Sequence, residues 1–597
     1  MLATGLSLVM ISAALTSLIP WLLRDGIDAL QHGVLVQRVL WSAAGIVGVA
    51  LAGGALRYWM REVLNGLSRH VEYDLRQALF AHLTRLDQGY FARTRTGDLM
   101  ARLTNDLSAV RMAAGPAIMY LTNTIFGAAF ALVFMLRIDA GLTALALVPM
   151  VMLPVIMIRM GGAIHRRFDA VQEQFSTLTT HAQENFAGVR VVRAYRQEAA
   201  EIARFATLND TYVERNIALA RLYGAMNPMF GLLAGLSVAV VLGVGGALVV
   251  RRTITVGAFV AFGFYLTSLT WPMIALGWVI NLFQRGAASM ARLLDILDAS
   301  PVITSPTAPR ALPPAPAGRS ITFADVGYHF PVHDGDEPRW VLRNVSFTIP
   351  AGGTLAVVGA TGSGKSALID LIPRMDDPQE GVIMLDGVPI RDLALDVLRG
   401  EIGYVPQESF LFSDTIASNL AYGDATHALL ERTSGDAIDA EAATHAWAAG
   451  VAQLDDTVLA FPHGYGTTLG ERGINLSGGQ KQRLALARAL ARHPRVVLLD
   501  DALSAVDTHT EAEILHGLRS TLVGRTAVIA SHRVSAVRDA SWIIVLDQGR
   551  VVEEGTHDVL MAARGHYAAL LSRQQLEEAI EAADTPADST GDLVRTG

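Results

Sequence analysis

Three short stretches of this chain hold residue types at spacings suited to phosphate chemistry. In TLAVVGATGSGKSALIDLIP a hydrophobic run leads into Gly359-x-x-x-x-Gly364-Lys365-Ser366 and then into a helix-forming segment. Glycines at Gly359, Gly362 and Gly364 let the backbone around Thr361 and Ser363 curl its N–H groups about phosphate oxygens. Lys365 reaches the terminal phosphates, and the Ser366 hydroxyl ligates Mg²⁺. A glycine-rich turn alone would be ordinary; strand, loop and helix in this order are not. In VVLLDD a second buried strand ends at Asp500, placed to hold the same Mg²⁺ through water, and Asp501 follows at once. In INLSGGQKQRLALARAL, Ser477, Gly478, Gly479 and Gln480 open a strongly periodic helix, where a hydroxyl and free amides make an anion site. Ser477 also suits a plain helix cap, although capping does not ask for Gly-Gly-Gln after it.

The elements that carry these residues fall in two halves. The chain has 597 residues, 51% hydrophobic and 17% charged, with a mean hydropathy of +0.35. That length calls for at least two domains, and that composition is unlike a soluble enzyme. It has no cysteine, which removes thiol catalysis, disulfides and cysteine metal sites. A net charge of −8 argues against nucleic acid as a partner.

Six uncharged runs occupy the first half: Met1–Leu23, Val39–Leu56, Met112–Leu136, Ala140–Ile158, Leu222–Val250 and Thr253–Gln284. Each approaches the ~20 residues that a membrane-crossing helix needs. The first lacks the basic start and cleavage pattern of a signal peptide and reads as a span. Arginines crowd the segments Arg61–Arg111 and Arg166–Arg221, which places both, and everything after Gln284, in the cytoplasm. These segments look helical, so the spans should continue as helices beyond the membrane. Residues 299–318 hold six prolines and read as an extended, semi-rigid linker. From Ser320 strands and helices alternate, as in an α/β domain. The expected division is 1–298 membrane domain, 299–319 linker, 320–575 nucleotide-binding domain and 576–597 an acidic tail, disordered past Ala583.

Taken together, these motifs resemble the ATP-binding cassette (ABC) exporters of the half-transporter kind, and the resemblance covers nearly the whole chain. It implies a membrane all-α six-helix exporter domain fused to an α/β P-loop nucleotide-binding domain, using ATP and Mg²⁺. By the same resemblance Tyr328 in VGYHF stacks on adenine, and Gln407 in YVPQESFLF is the glutamine near Mg²⁺. Thr468–Gly473 (TLGERG) is the exporter-type X-loop, and Ser477–Gln480 complete the partner's ATP site. Ser504–Asp507 form the D-loop, and His532 is the switch histidine. Thr96–Leu107 and Phe186–Glu198 hold the coupling helices. Family members usually carry an elbow helix before the first span. Here the chain begins inside the span, so the true start is expected upstream.

In the family, the acid after the strand-ending aspartate is glutamate. Asp501 is one methylene shorter, which withdraws the carboxylate by ~1.5 Å, and a misplacement of ~1 Å can cost about 100-fold. The expectation is a chain that binds ATP at its own site, hydrolyses it poorly, and serves an intact signature to a second ABC half-transporter. A homodimer with slow hydrolysis and an ATP-switched membrane regulator are the alternatives; fusion of the two domains and TLGERG argue against an importer. The central runs of the spans carry no charged side chain, which favours a small hydrophobic or amphipathic cargo over ions or protons. Among the aromatics of the sixth span, Phe262, Phe264, Tyr265, Trp271 and Trp278, most should pack or face lipid.

Overall fold

The computed structural model describes residues 1–31, 36–315, 317–330, 337–423, 435–470, 473, 475–533 and 537–584. The chain divides into two compact units: Met1–Thr84 with Thr96–Ala299, and Arg85–Arg95 with Ser300 onward.

In the first unit each of the six apolar runs lies on its own helix: α1 (Leu2–Gln31), α2 (Val36–Leu83), α3 (Thr96–Ile138), α4 (Ala140–Ala187), α5 (Glu198–Val250) and α6 (Val256–Leu297). Among the described residues, five are long and apolar enough to cross a membrane, and the apolar start of α4 covers Ala140–Met152. At 1.5 Å per residue, the 48 residues of α2 and of α4 make rods of about 70 Å, more than twice a hydrocarbon core. The continuation of the spans as helices is thus met. Polar caps start two of the rods: Asp139 accepts from Leu142 N (2.7 Å) ahead of α4, and Thr255 from Ala258 N (3.1 Å) ahead of α6.

The helix core joins Met135, Leu142, Met150, Val241, Phe262 and Tyr265. Tyr265 stacks on Phe134 at 5.3 Å and donates from its hydroxyl to Ser17 O (2.7 Å). Phe262 and Tyr265 are therefore packing residues, whereas Phe264, Trp271 and Trp278 are exposed.

In the second unit, β1 (Ile321–His329), β2 (Trp340–Ile349), β4 (Glu380–Leu385) and β5 (Val388–Pro389) form an antiparallel sheet in the order β2-β1-β4-β5. A second sheet runs β10-β9-β3-β8-β7-β6, with β3 (Thr354–Gly359), β6 (Ile402–Val405), β7 (Val496–Asp500), β8 (Thr526–Ala530), β9 (Trp542–Asp547) and β10 (Arg550–Gly555). Strands β9, β3, β8, β7 and β6 pair in parallel. Parallel strands covered on both faces read as unbroken apolar runs, and β7 is buried at every position. Because β8 lies between β3 and β7, the loops after all three emerge side by side at one sheet edge. That is where open α/β sheets bind ligands.

The proline-rich segment is laid along this unit. Arg374 donates to Thr304 O (2.9 Å), Arg310 N to Asp392 O (2.8 Å), and Gly318 N to Gly524 O (2.5 Å). The helix His566–Asp584 enters the expected tail and ends one residue past Ala583; residues 585–597 lie outside the described residues.

Candidate functional site

The loop after β3 supplies the phosphate cradle. Gly364 sits at φ +105°, and a Cβ there would meet Val341 O at 2.9 Å and Leu342 Cδ2 at 2.8 Å, so only glycine fits. Gly364 leads directly into α7 (Lys365–Leu371). Lys365 folds back, donating from Nζ to Gly359 O (2.9 Å) and Ala360 O (3.1 Å), and is almost wholly buried. Burial draws its ammonium below the usual lysine range, against the opposing pull of Asp501 and Asp500.

Asp500 ends β7, buried. Burial pushes its carboxyl above the usual range, the Ser366 hydroxyl bond pulls it down, and neighbouring Asp501 pushes it further up. Its Oδ1 has no hydrogen-bond partner. A buried carboxylate oxygen in that state calls for a ligand, and with the Ser366 hydroxyl beside it the donor set is all oxygen, as Mg²⁺ prefers. The residues present fit the ion.

Asp501 takes the left-handed backbone conformation at φ +45°, tolerated by aspartate better than by most side chains. Both its carboxylate oxygens are engaged by His532: Oδ1 accepts from His532 N (3.1 Å) and Oδ2 lies 2.9 Å from Nε2. The Asp501 side chain is 5% exposed and that of His532 41%.

One cavity of about 1140 Å³ unites these groups. Thr361, Gly362, Gly364, Lys365, Ser366, Gln407, Asp501 and His532 line one part of it, and Phe330, Glu337, Arg339, Trp340 and Gln548 also contribute. Expected phosphate, Mg²⁺ and catalytic residues thus converge on a single site, whereas Gly359, Ser363 and Asp500, the last bonded to Ser366, do not line it.

Tyr328 does not join them. It is 2% exposed in the core between the sheets, with its hydroxyl donating to Asp376 (2.8 Å), so it cannot stack on a base. Phe330, two residues on and 59% exposed, lines the cavity instead, its ring edge-on to Tyr328 at 5.3 Å. The hydrophobic phase of β1 holds the signal. Val326 and Tyr328 belong to the inward set, and the aromatic just past the strand end is the one left free.

Ser477 to Gln480 lie outside this cavity. Ser477 caps helix α8 (Gly478–Ala491) in a reciprocal box: Gln480 N donates to Ser477 Oγ (3.2 Å), and Ser477 N to Gln480 Oε1 (2.9 Å). Of the TLGERG stretch, Thr468, Leu469, Gly470 and Gly473 are described, with Leu469 N donating to Asp414 O (2.9 Å). Glu471 and Arg472 lie outside the described residues. In the expected D-loop, Asp507 caps the following helix through Thr510 N (2.9 Å).

Comparison with known proteins gives a consistent set of likenesses. Residues 2–273 match the family model of the ABC transporter transmembrane region, and residues 342–504 that of the ABC transporter. The chain is 37% identical over 561 residues to the multidrug resistance-like ATP-binding protein MdlA of Escherichia coli (strain K12), covering 93% of this chain and 91% of that protein. It is 38% identical over 565 residues to YheI of Bacillus subtilis (strain 168), a probable multidrug resistance ABC transporter ATP-binding/permease protein, covering 94% and 93%. The ATP-dependent lipid A-core flippase of Syntrophus aciditrophicus (strain SB) is 32% identical over 581 residues, covering 97% and 93%. Among solved structures, a bacterial Atm1-family ABC exporter with ATP bound matches with a TM-score of 0.73 at 28% identity, over 96% of this chain and 98% of that one.

Proposed function

Since this chain belongs to the ABC transporters, as a multi-pass membrane half-transporter of the exporter kind with a cytoplasmic nucleotide-binding domain, we propose that it is the ATP-retaining half of a heterodimeric exporter. The carrying observation is the state of Asp501. Its side chain is one methylene short, and both oxygens are engaged by His532 at 3.1 and 2.9 Å. A carboxylate held in this way is poorly placed to reach a water that attacks a γ-phosphate.

Lys365 and the loop amides hold the phosphates, and Phe330 takes the base. Ser366, Asp500 and Gln407 would hold Mg²⁺, which would neutralise charge on the phosphate oxygens. Ser477–Gln480 complete the catalytic site of a partner half-transporter that carries glutamate after its own strand-ending aspartate. ATP binding favours the closed pair of nucleotide domains and the outward-open membrane helices, and hydrolysis at the partner's site resets the pump. Spans free of central charge, and relatives named for multidrug resistance and lipid A-core flipping, support a hydrophobic or amphipathic cargo.

The test is the intact mass of the tagged complex extracted from its native membrane, with subunit identification. A second half-transporter bearing that glutamate is the expected result. A dimer of this chain alone overturns the asymmetric reading. His532 favours that second reading to this extent: the histidine is kept and stands on the cavity, where a working site would need it.

A further inference from the structure

Gln482 lies two residues beyond the signature stretch, on the inner side of α8, and is 6% exposed. Its side-chain amide is spent entirely on one neighbouring loop. Nε2 donates to Ser504 Oγ (2.9 Å) and, more weakly, to Asp501 O (3.4 Å), while Oε1 accepts from Ala505 N (2.8 Å). A buried amide satisfied at both ends fixes the two elements it joins, since breaking either bond leaves a polar group unpaired.

A second contact brings the same elements together without Gln482. A Cβ on Gly479 would come within 2.8 Å of Ala505 O, and one on Gly478 within 3.5 Å of Ala505 Cβ. The signature turn therefore rests directly on the D-loop backbone of its own chain. On the far side, Arg533 donates to Val506 O (3.4 Å) and pairs with buried Glu511, which ties the same loop to the segment carrying His532.

We propose that Gln482 is a positioning residue that makes the signature turn and the D-loop of this chain one body, so that ATP held at this chain's own cavity sets the activity of the site that Ser477–Gln480 complete. This rests on the asymmetric assembly proposed above. The path has four links: the cavity residue Asp501, whose carbonyl Gln482 holds; the loop Ser504–Ala505; the Gln482 amide; and the helix that begins at Ser477. Each link is a direct contact within one domain; Asp501 and Gln482 are buried, while Ser504, Ala505 and Ser477 are exposed. A shift of the loop then carries the turn with it.

The test is a double-mutant cycle on the complete complex, reading ATP turnover. Lys365→Ala empties this chain's cavity. In the otherwise unaltered complex it should lower turnover at the partner's site about tenfold, within the usual range of site-to-site coupling. In a complex carrying Gln482→Met, of equal length but without the amide, the same Lys365→Ala change should lower turnover less than about twofold. Gln482→Glu keeps an acceptor for Ala505 N and should restore part of the dependence. It also carries the cycle if the methionine variant does not assemble. A purely structural Gln482 would leave the Lys365→Ala factor equal in every background, and that result overturns the proposal. Subunit masses from the same preparation separate the two ideas. A heterodimer with equal factors removes the role of Gln482 alone, whereas a dimer of this chain alone removes the asymmetric assembly and this coupling with it.

Discussion

The acid after β7 and the serine before α8 belong to the same domain, yet they are in opposite condition. Asp501 has a shortened side chain with both oxygens engaged by His532. Ser477 and Gln480 keep the full signature, locked in a reciprocal cap that presents the helix start outward. One position has lost reach and the other has lost nothing. In a symmetric machine both would be under the same demand. On the asymmetric assembly proposed above, this divergence would assign the two faces of the domain to two different nucleotides, one to be held and one to be broken down.

The sharpest way to break this contrast is to damage each position in turn. Ser477→Arg is expected to lower turnover of the complex by about 100-fold or more, the usual cost of removing a transition-state donor, whereas Asp501→Asn should change it less than about twofold. Steady-state ATPase rates of the two variants, side by side, decide the matter. A large loss with Asp501→Asn would make Asp501 the working acid. The converse experiment restores reach: Asp501→Glu should speed release of phosphate from this chain's site about tenfold, seen as loss of trapped ATP in single-turnover assays.

The same comparison can be sharpened at the base. Phe330→Ala should weaken ATP binding about tenfold, as loss of an aromatic platform under a base does. Tyr328→Phe should leave affinity unchanged and lower the melting temperature of the domain by a few degrees. The hydroxyl bond to Asp376 is worth about 1 kcal/mol, and its loss leaves a half-buried acceptor unpaired. Affinity titration and thermal melting of both variants separate the two aromatics.

The smallest effect concerns the frame around the site. Burial alone would raise the Glu401 carboxyl, but hydrogen bonds from Arg319 and Arg495 outweigh it and hold it below the usual range. A depressed carboxylate stabilises the fold above its unfolded value and loses that contribution as pH falls through the folded one. The melting temperature should therefore drop between about pH 5 and pH 3, and Glu401→Gln should flatten that slope.

What the sequence disclosed follows from how local each signal is. The six apolar runs were legible because a span must be apolar over its whole length; each landed on its own rod, and five of those rods are long and apolar enough to cross a membrane among the described residues. The phosphate loop was legible because Gly359 to Ser366 do their work within eight consecutive residues. Tyr328 was assigned to the base by resemblance alone, although the inward phase that it shares with Val326 on β1 buries its ring. The engagement of Asp501 by His532 spans 31 residues and exists only because β7 and β8 lie side by side, which no spacing announces. The tail was read from its acidic composition, with order expected as far as Ala583; the helix from His566 ends at Asp584, and residues 585–597 lie outside the described residues.

Lys365 leaves one last consequence, in terms of chemical labelling. The chain holds just two lysines, Lys365 and Lys481, and no cysteine. Lys365 is tucked beneath its own loop with Nζ on two carbonyl oxygens, while Lys481 is half-buried. An amine-selective reagent should therefore mark Lys481 and spare Lys365 in the folded protein. With so few acceptors, the ratio of the two labelled peptides becomes a direct gauge of how often the phosphate loop opens.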